Sequence, residues 1–232
     1  MAFKKWDEIY KILLNDINTG LFAPGQELPS AEELAFIHGV SRSTIQKAYN
    51  KLASDGYIIT LFEHFDRKRI VMPEIKPSLR TAGFRDDNKD NHTAFVESLL
   101  LEIVPKPVEP IKDEMGDPVL HHLTRQWRNH IPVAISSSYV SPTVPLEDLK
   151  LLLTEGKELY HSLRTLGFNP STCTETLVAR MATEDDMKYL YGPPIIIAEI
   201  VRRVFDENNN LLELCYLKDR ADSYIFSYKF SL

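Results

Sequence analysis

Cysteine and glycine are scarce in this sequence, and long apolar runs are missing. The 232 residues contain two Cys and nine Gly. Two thiols are too few for a disulfide framework or a four-thiolate zinc site, and isolated glycines do not form a phosphate-binding loop. No apolar run approaches the roughly 18 residues that span a bilayer, and residues 1–6 turn polar at once, unlike a signal peptide. These absences predict a cytoplasmic protein without a metal, a cofactor, a membrane contact or a catalytic acid–base pair.

An excess of basic charge is also missing. The formal net charge is −6, with 27 Lys and Arg against 33 Asp and Glu. In residues 1–76 ten basic side chains balance ten acidic ones, so the excess acid lies in residues 77–232. An acidic chain does not coat nucleic acid non-specifically. The neutral N-terminal part still leaves room for one small domain that reads nucleic acid.

A polar segment divides the chain. The hydrophobic content of 44% suffices for a packed core, but the stretch Pro73–Asn91 holds little that could be buried. Its prolines and its charged run at 85–90 are typical of a linker, and a surface loop within one domain is the alternative. We therefore predict one domain over residues 1–72, a linker over 73–91 and a second domain over 92–232.

Three helical patterns and a hairpin are predicted in the first domain. One helix ends near Gly20, a second runs from Ser30 to Gly39, and a third runs from Ser41 to Gly56. Two β-rich runs follow, and the polar stretch between them contains Arg67-Lys68-Arg69, which indicates a hairpin. Apolar residues at helical spacing give two of the helices an inward face: Ile9, Ile12, Leu13 and Ile17 in the first, and Ile45, Ala48, Tyr49 and Leu52 in the third.

The second and third helices have the spacing of a helix-turn-helix, and the hairpin makes the motif winged. In such a motif the later of the two helices, here the third helix of the domain, fits the major groove, where its outward side chains reach bases and phosphates. Arg can hold guanine through two hydrogen bonds, and Gln and Asn can hold adenine. An ordinary polar helix surface is the alternative explanation. The outward residues of this helix are Arg42, Ser43, Gln46, Lys47 and Asn50.

Several short segments of the first domain form a specific pattern. They are Thr19–Leu28, Leu28-Pro29-Ser30, Glu33-Leu34, Gly39–Ile45 and Asp55–Ile58. Over nearly all of residues 6–60 the sequence resembles the GntR family of bacterial transcription regulators. The resemblance implies a winged helix-turn-helix domain that binds a double-stranded DNA operator. The residues that it places at the DNA are Ser30, Glu32, Ser41, Arg42, Ser43, Thr44, Gln46, Lys47, Asn50, Arg67 and Lys68.

The sequence departs from the family pattern at three places. Glu32 stands where the family usually has an Arg that contacts DNA, and Gln46 stands where a second Arg is common. The expected wing tip, residues 61–65, has no Gly. Fewer phosphate contacts weaken the binding and its salt dependence, although Arg67, Lys68 and Arg69 could compensate. We expect DNA binding with an altered sequence preference; the alternative is a ligand-sensing or partner-binding protein that has lost DNA binding.

The second domain has a mixed pattern of strands and helices, typical of an α+β fold. A helix is predicted over Phe95–Ile103, and two strands are predicted over Val119–Arg128 and Ile131–Val140. His121 and His122 are neighbours in one of these strands, so they project to opposite faces and do not share a metal ion. The other predictions are helices over 146–153 and 158–166, strands over 174–181, 195–205, 211–217 and 224–230, and a hairpin turn over 206–210.

A second set of segments forms a weaker pattern. It consists of Leu123-Thr124-Arg125, Pro132–Ile135 with Ser138-Tyr139-Val140, Leu159–Leu163 with Leu166-Gly167-Phe168, Arg202–Asp206, Glu213 and Arg220–Tyr224. In this order the segments resemble the UTRA domain, the effector-binding module of the HutC-type branch of the GntR family. The resemblance implies a chorismate-lyase-like sheet domain with a ligand pocket over the sheet and a role in dimerisation.

The same resemblance implies an anion site in the pocket, made by an Arg pair on one strand and a hydroxyl at a helix N-terminus. Arg125 matches the first Arg, Trp127 stands at the position of the second, and Thr93 lies near the hydroxyl position. With one Arg replaced, a phosphosugar fits less well than a less charged effector. The predicted effector residues are Thr93, Arg125, Trp127, Ser136, Ser137, Tyr139, Glu213, Arg220 and Tyr224.

These features together predict a homodimeric bacterial transcription regulator that acts as a repressor. A small molecule, of the sugar, sugar phosphate or organic acid class, would modulate its binding to the operator. An enzyme related to chorismate lyase is the alternative from another class, with Arg125 and Arg220 holding a carboxylate substrate. The fused helix-turn-helix and the missing acid–base pair argue against catalysis.

Overall fold

The computed structural model describes residues 5–63, 66–72, 78–79, 84–88, 91, 93–129, 131–190 and 196–227. The chain divides into two compact units, one of residues 1–77, 129–131 and 182–195 and one of residues 78–128, 132–181 and 196–232. We call residues 1–77 the N-terminal unit and the second of the two the sheet unit. The domain boundaries at 72 and 92 stay a prediction, since most of the residues between them lie outside the described ranges. Among the described helices, none combines the length and apolarity needed to cross a membrane.

The N-terminal unit consists of three helices followed by an antiparallel hairpin. Its elements are α1 Lys5–Asn18, α2 Ala31–His38, α3 Arg42–Ser54, β1 Ile58–Glu63 and β2 Asp66–Val71. A capping box stands at the start of α2, where Ser30 and Glu33 accept each other's backbone N–H. Gly39 ends α2 in the left-handed conformation, at φ 62°. Ser41 caps α3, and its Oγ accepts from the Thr44 N–H.

One apolar core joins these elements. Most of the predicted inward residues are buried, but Ile12 lies beside the stripe formed by Ile9 and Leu13 and is exposed. Tyr49 is buried. Its hydroxyl donates to the Pro29 carbonyl at 2.6 Å, so this polar group has a hydrogen-bond partner although it is removed from water. The buried members are Ile9, Leu13, Leu28, Ala31, Leu34, Ile45, Ala48, Tyr49, Leu52, Ile58 and Val71.

The polar residues Arg67, Lys68 and Arg69 lie within strand β2, whereas the sequence predicted them between two strands. β1 and β2 pair along their whole length. The buried Arg69 accounts for the difference, because its guanidinium lies 4.6 Å from the centre of the Tyr49 ring and donates to Gln46 Oε1 at 2.7 Å. A cation that is satisfied in this way can occupy an inward strand position.

Six of the described strands form one sheet in the order β4-β5-β6-β9-β8-β7. They are β4 Phe95–Val104, β5 Val119–Arg128, β6 Ile131–Val140, β7 Thr172–Met181, β8 Ile196–Phe205 and β9 Leu211–Arg220. Two short strands, β3 Ser78–Leu79 and β10 Tyr224–Ile225, pair in parallel apart from this sheet. The helices after residue 78 are α4 Phe84–Asp87, α5 Ile111–Met115, α6 Leu146–Thr154, α7 Leu159–Thr165 and α8 Glu184–Leu190.

Most of the predicted elements of the second domain are confirmed; besides β4, the strand over 224–230 differs, and helices α5 and α8 are additional. The turn at 206–210 is present, and the Asp206 carboxylate accepts from the Asn208 and Asn210 N–H groups. The strand predicted over 224–230 is regular only at Tyr224–Ile225, and residues 228–230 lie outside the described ranges. Helix α8 was not predicted, because its sequence has too few apolar residues to show a helical period.

Strand β4 stands where the sequence predicts a helix over Phe95–Ile103, so that prediction is wrong. A β-bulge explains the error: Ser98 and Leu100 pair with consecutive residues of β5, which leaves Leu99 as an extra residue. The extra residue interrupts the two-residue alternation of apolar side chains. The apolar spacing on each side of the bulge therefore imitates a helical period.

The two faces of the sheet carry different helices. On the α6–α7 face, Leu120 and Val140 pack in one core with helices α6 and α7. On the α5 face, Val119 and Leu214 pack against helix α5. Because successive residues of a strand project to opposite faces, these contacts assign the neighbouring strand residues to one face or the other.

Candidate functional site

The exposed start of α3 carries most of the residues predicted to contact DNA. Ser41 Oγ lies 2.9 Å from Ser43 Oγ and 2.8 Å from Thr44 Oγ1, so three hydroxyls cluster at the helix N-terminus. Lys47 follows one turn later and is exposed. Hydroxyls and backbone N–H groups at a helix N-terminus, with a nearby cation, suit a phosphate group.

Arg42 and Glu32 form a salt bridge between α3 and α2. The Arg42 Nε atom lies 2.5 Å from Glu32 Oε1, and the two side chains are 72% and 61% exposed. A pair this exposed contributes about 0–1 kcal/mol to folding. The salt bridge therefore matters little for folding. Its effect is on the site, because it puts a carboxylate beside the Arg that the sequence predicts to bind guanine.

The side-chain amide of Gln46 is held at both ends. Its Oε1 accepts from Arg69 NH2 at 2.7 Å, and its Nε2 donates to Asn50 Oδ1 at 2.8 Å. The hairpin strand β2 is thereby connected to the outward face of α3. Gln46 and Asn50 reach that face as a fixed pair, suited to polar base edges.

Three predicted DNA contacts lie away from this cluster. The Ser30 hydroxyl is engaged in the capping box of α2. Lys68 lies in β2 and is partly buried, and Arg67 lies in the same strand, with its side chain outside what the structure describes. A DNA-contacting role for these residues stays a prediction.

A cavity of about 460 Å³ opens on the α6–α7 face of the sheet. Small-molecule sites span about 300–1,000 Å³, so this cavity has the size of a ligand pocket. Strands β5, β6 and β9 supply lining residues from below, and α7 with the residues before it supplies a wall. The lining includes His122, Thr124, Gln126, Ser136, Ser138, Tyr160, Arg202, Glu213, Cys215 and Asp219.

Glu213 is a buried acid at the cavity. Its Oε2 accepts from the Tyr160 hydroxyl at 2.8 Å. Burial raises the pKa of Glu213, and the hydrogen bonds from Ser138 and Tyr160 and the charge of Arg202 offset only part of that effect. Burial also raises the pKa of Tyr160, with the nearby Glu213 adding to it. The site therefore favours the uncharged form of both groups.

Arg202 is a buried cation beside this pair. Its Nε donates to Glu175 Oε1 at 2.6 Å, and its NH1 lies 3.4 Å from the Tyr160 hydroxyl oxygen. The charge of Arg202 is thus balanced by a carboxylate from β7. Cys215 adds an uncharged thiol, since burial raises its pKa to about 12, and its Sγ accepts from Ser138 Oγ at 3.3 Å.

His122 adds a neutral imidazole to the cavity. Its Nε2 lies 3.0 Å from Ser98 Oγ. Burial lowers the pKa of His122 to about 4, and repulsion from His121 adds to the effect. The two histidines project to opposite faces, as predicted, because His121 hydrogen-bonds Ser137 on the other side of the sheet. Within the described residues, no cluster of three His, Cys, Asp or Glu is placed to hold a metal ion.

We expect His122 to make folding stability depend on pH. Its pKa falls from 6.5 to about 4 on folding, so the folded state binds fewer protons between these values. This stabilisation is complete above pH 6.5 and is lost as the pH falls through 4. The loss is on the order of 1–2 kcal/mol once partial exposure is allowed for. Urea unfolding at about pH 7.5 and about pH 5 measures it, with His122→Gln as the comparison; equal acid losses in both proteins would contradict the expectation.

Only three of the predicted effector residues line the cavity. They are Ser136, Glu213 and Tyr224. The Tyr224 ring faces the Arg128 guanidinium at 5.1 Å, and Arg128 donates to the Ser223 carbonyl, so the ring is held at the cavity wall.

Arg125 and Trp127 lie on the α5 face. Arg125 Nε and Trp127 Nε1 each donate to Glu97 Oε2 at 2.8 Å, and the Arg125 guanidinium lies 4.9 Å from the Trp127 ring centre. Their neighbours in β5, Thr124 and Gln126, project to the cavity instead. The fold therefore gives no support to an effector contact by Arg125 or Trp127.

Ser137 and Tyr139 project to the α5 face as well. Ser137 Oγ lies 2.9 Å from His121 Nε2, and the Tyr139 ring stacks on the His121 ring with centres 4.5 Å apart. The residues between them in β6, Ser136 and Ser138, are the ones that reach the cavity.

Thr93 and Arg220 have other partners. Thr93 Oγ1 donates to Asn91 Oδ1 at 2.7 Å and precedes a strand, so the helix N-terminus expected there is wrong. Arg220 is fully buried and donates to Asp222 Oδ2 at 2.8 Å. Arg220 and Asp222 thus form an ion pair within the protein.

Tyr160, Arg202 and His122 line the cavity, although they are not among the residues predicted to bind the effector. Tyr160 and Arg202 stand inside segments that carried the UTRA resemblance, but no spacing rule connects them with Glu213. The available signal was alternation: once Glu213 is taken as inward, Cys215 must share its face.

The two units together define a class of protein. One unit presents a helix-turn-helix with a strand hairpin, the geometry that docks in a DNA groove. The other holds a ligand-sized cavity in a sheet unit. This combination is typical of a DNA-binding regulator that responds to a small molecule.

Comparison with known families identifies the chain more closely. The family "Bacterial regulatory proteins, gntR family" matches residues 5–61, and the UTRA domain matches residues 100–225. The chain belongs to the GntR family, in the group that carries a UTRA domain. It is a transcription regulator whose DNA binding is modulated by an effector.

Relatives cover nearly the whole chain. The "Probable fructoselysine utilization operon transcriptional repressor" of Escherichia coli O157:H7 is 27% identical over 221 residues, which is 90% of this chain and 88% of the relative. The histidine utilization repressor of Pseudomonas aeruginosa is 26% identical over 61% of this chain and 58% of its own. The crystal structure of PhnF from Mycobacterium smegmatis shares the fold, with a TM-score of 0.56 at 17% identity, covering 98% of this chain and 99% of that one.

Proposed function

We propose that the protein is a homodimeric repressor whose effector is an uncharged or amine-bearing polyhydroxy compound, bound in the cavity on the α6–α7 face. Repression is supported by the names of two relatives, a probable fructoselysine utilization operon transcriptional repressor and a histidine utilization repressor. The effector class is supported by the cavity itself. The main observation in favour of this effector class is the ion pair between the buried Arg202 and Glu175.

The charge distribution in the cavity disfavours a phosphate. Arg202 already has a carboxylate partner at 2.6 Å, and the buried Glu213 lies in the same cluster. The other two cations of the lining, Lys157 and Arg164, are exposed at the rim. A doubly charged phosphate in the interior would have to displace a buried carboxylate, which costs more than a rim contact returns.

The inner lining instead matches hydroxyl groups. Ser136, Ser138, Thr124 and Gln126 supply neutral donors and acceptors, and the neutral His122 adds one more. A site built from such groups binds polyols because each ligand hydroxyl finds both a donor and an acceptor. An amine on the ligand would be attracted by the carboxyl groups of Glu158 and Asp219, which also belong to the lining. The fructoselysine repressor is named for a compound of this kind.

We expect glycated amines and free sugars to raise the melting temperature, and sugar phosphates to have no effect. A ligand at about 100 times its Kd stabilises the folded state by about 2.7 kcal/mol. A thermal-shift panel of fructoselysine, glucose, glucosamine, glucose 6-phosphate and inorganic phosphate measures this. A shift with glucose 6-phosphate and inorganic phosphate alone would contradict the proposed class.

Binding, and not turnover, is the proposed role of this cavity. The matched families and the named relatives are transcription regulators, and the Tyr160 hydroxyl already donates to Glu213, so this acid is engaged within the protein. Recovery of the unchanged ligand after long incubation would agree with this assignment.

The homodimer is supported by the open edge of the sheet at β7. This strand is last in the order and is hydrogen-bonded to β8 on one side. Val178 and Met181 on it are 58% and 61% exposed. A long, apolar edge strand is a template for pairing with another chain, and a second copy matches a two-fold operator. We also propose a cytoplasmic location, because a bacterial transcription regulator acts where its DNA operator lies.

A further inference from the structure

The salt bridge between Arg42 and Glu32 uses one particular atom of the guanidinium. Glu32 Oε1 lies 2.5 Å from Nε, the nitrogen nearest the side-chain stem. Among the residues that the structure describes, none hydrogen-bonds the two terminal nitrogens of Arg42. These two nitrogens form the fork that binds O6 and N7 of guanine. The carboxylate thus occupies the side of the guanidinium that base reading does not need.

Both partners stand on well-fixed backbone. Glu32 lies in the first turn of α2, directly after the capping box at Ser30. Arg42 is the first residue of α3, directly after its cap Ser41. The Tyr49 hydroxyl of α3 holds the Pro29 carbonyl, just before α2 begins, at 2.6 Å. The starts of the two helices are therefore tied together, and the bridge spans a fixed distance.

We propose that Glu32 is a positioning residue that aims the terminal nitrogens of Arg42 at guanine, and so sets the specificity of this regulator. The proposal rests on DNA reading by α3. An Arg side chain has many rotamers, and a mobile Arg can contact a phosphate or any acceptor in the groove. The contact at Nε favours one of these arrangements over the others. The guanidinium then keeps an orientation in which guanine supplies two acceptors and other bases supply fewer.

The same carboxylate has a second consequence. A negative charge at the DNA surface repels phosphates, so Glu32 lowers affinity for every sequence alike. Correct operators regain affinity through Arg42, but other sequences do not. Glu32 therefore lowers affinity for all DNA but increases the relative preference for the correct operator. This agrees with the balanced charge of residues 1–76.

Selection of binding sites from a random double-stranded DNA library tests the proposal with the full chain. Wild-type protein should enrich sites with one strongly preferred guanine per half-site. Glu32→Gln removes the charge but keeps the size. It should lower the preference for that guanine over the other bases by about two- to fivefold and raise affinity for unselected DNA by about twofold. Glu8→Gln is the matched control, because Glu8 is an exposed acid of the same unit on α1.

Other outcomes would overturn the positioning role. If Glu32→Gln raised affinity for all sequences and left the guanine preference intact, Glu32 would act by repulsion alone. If the lost preference were for a neighbouring cytosine, Glu32 would itself read a base. If Glu8→Gln relaxed the guanine preference equally, the effect would belong to net charge. No enrichment by wild-type protein would instead contradict DNA reading itself. Equal melting temperatures of the variants confirm that each is folded.

Discussion

Arg42→Ala is expected to weaken operator binding by about 1–3 kcal/mol and to remove the preference for one base pair in each half-site. The reason is geometric. Arg42 opens the exposed helix α3, and its two terminal nitrogens are available for a base edge. Truncation removes both hydrogen bonds to guanine and leaves the unpaired Glu32 at the DNA surface. Fluorescence anisotropy with the operator and with unrelated DNA measures the two affinities.

A comparison with Lys47 sharpens this test. Lys47 is exposed on the same helix, where an ammonium group suits a phosphate. Lys47→Ala should weaken binding to all sequences alike and reduce the salt dependence by about one phosphate contact. If Arg42→Ala behaved in the same way as Lys47→Ala, Arg42 would be a phosphate contact and the assignment of α3 as the base-reading helix would fail.

Arg202→Met is expected to lower the free energy of unfolding by about 3 kcal/mol, because Glu175 then loses the partner of a largely buried ion pair. The variant should also lose stabilisation by any ligand that shifts the melting temperature of the wild type. Guanidinium chloride unfolding and the thermal-shift panel measure the two effects separately.

A second variant separates stability from binding. Arg202→Met combined with Glu175→Gln leaves no unpaired charge, so most of the lost stability should return. The ligand response should stay absent, since Met at position 202 supplies no N–H donor to a ligand hydroxyl in the cavity. Arg125→Met, on the α5 face, is the matched control and should keep the ligand response. A full ligand response in the double variant would remove Arg202 from the site.

Local rules accounted for the N-terminal unit. The cap at Ser30, the left-handed Gly39 and the cap at Ser41 lie within a dozen residues of one another, and each is decided by its own neighbours. The predicted helices therefore agree with the structure. The position of Arg69 could not be predicted in this way, because it depends on Tyr49, twenty residues away, which supplies the ring that accepts the cation.

The residues that line the cavity were harder to predict, because membership depends on whether a residue takes an odd or an even position along its strand. A strand residue and its neighbour differ only in the face that they take, so Ser136 reaches the cavity and Ser137 does not. The bulge at Leu99 changes this parity within β4, and no feature of the sequence marks it. Tyr160 meets Glu213 across 53 positions of chain, a contact that arises only when α7 settles on the sheet.

The contact of Arg69 with Gln46 and Tyr49 has a consequence for the DNA. Hairpin and helix α3 cannot change their relative inclination without breaking it. Because the hairpin and α3 form a rigid DNA-binding surface, this surface does not adapt to grooves of different width. The DNA duplex therefore has to deform on binding. Base pairs that no side chain touches then influence affinity through their flexibility. Operators of this regulator should share easily deformed steps at fixed distances from the guanine.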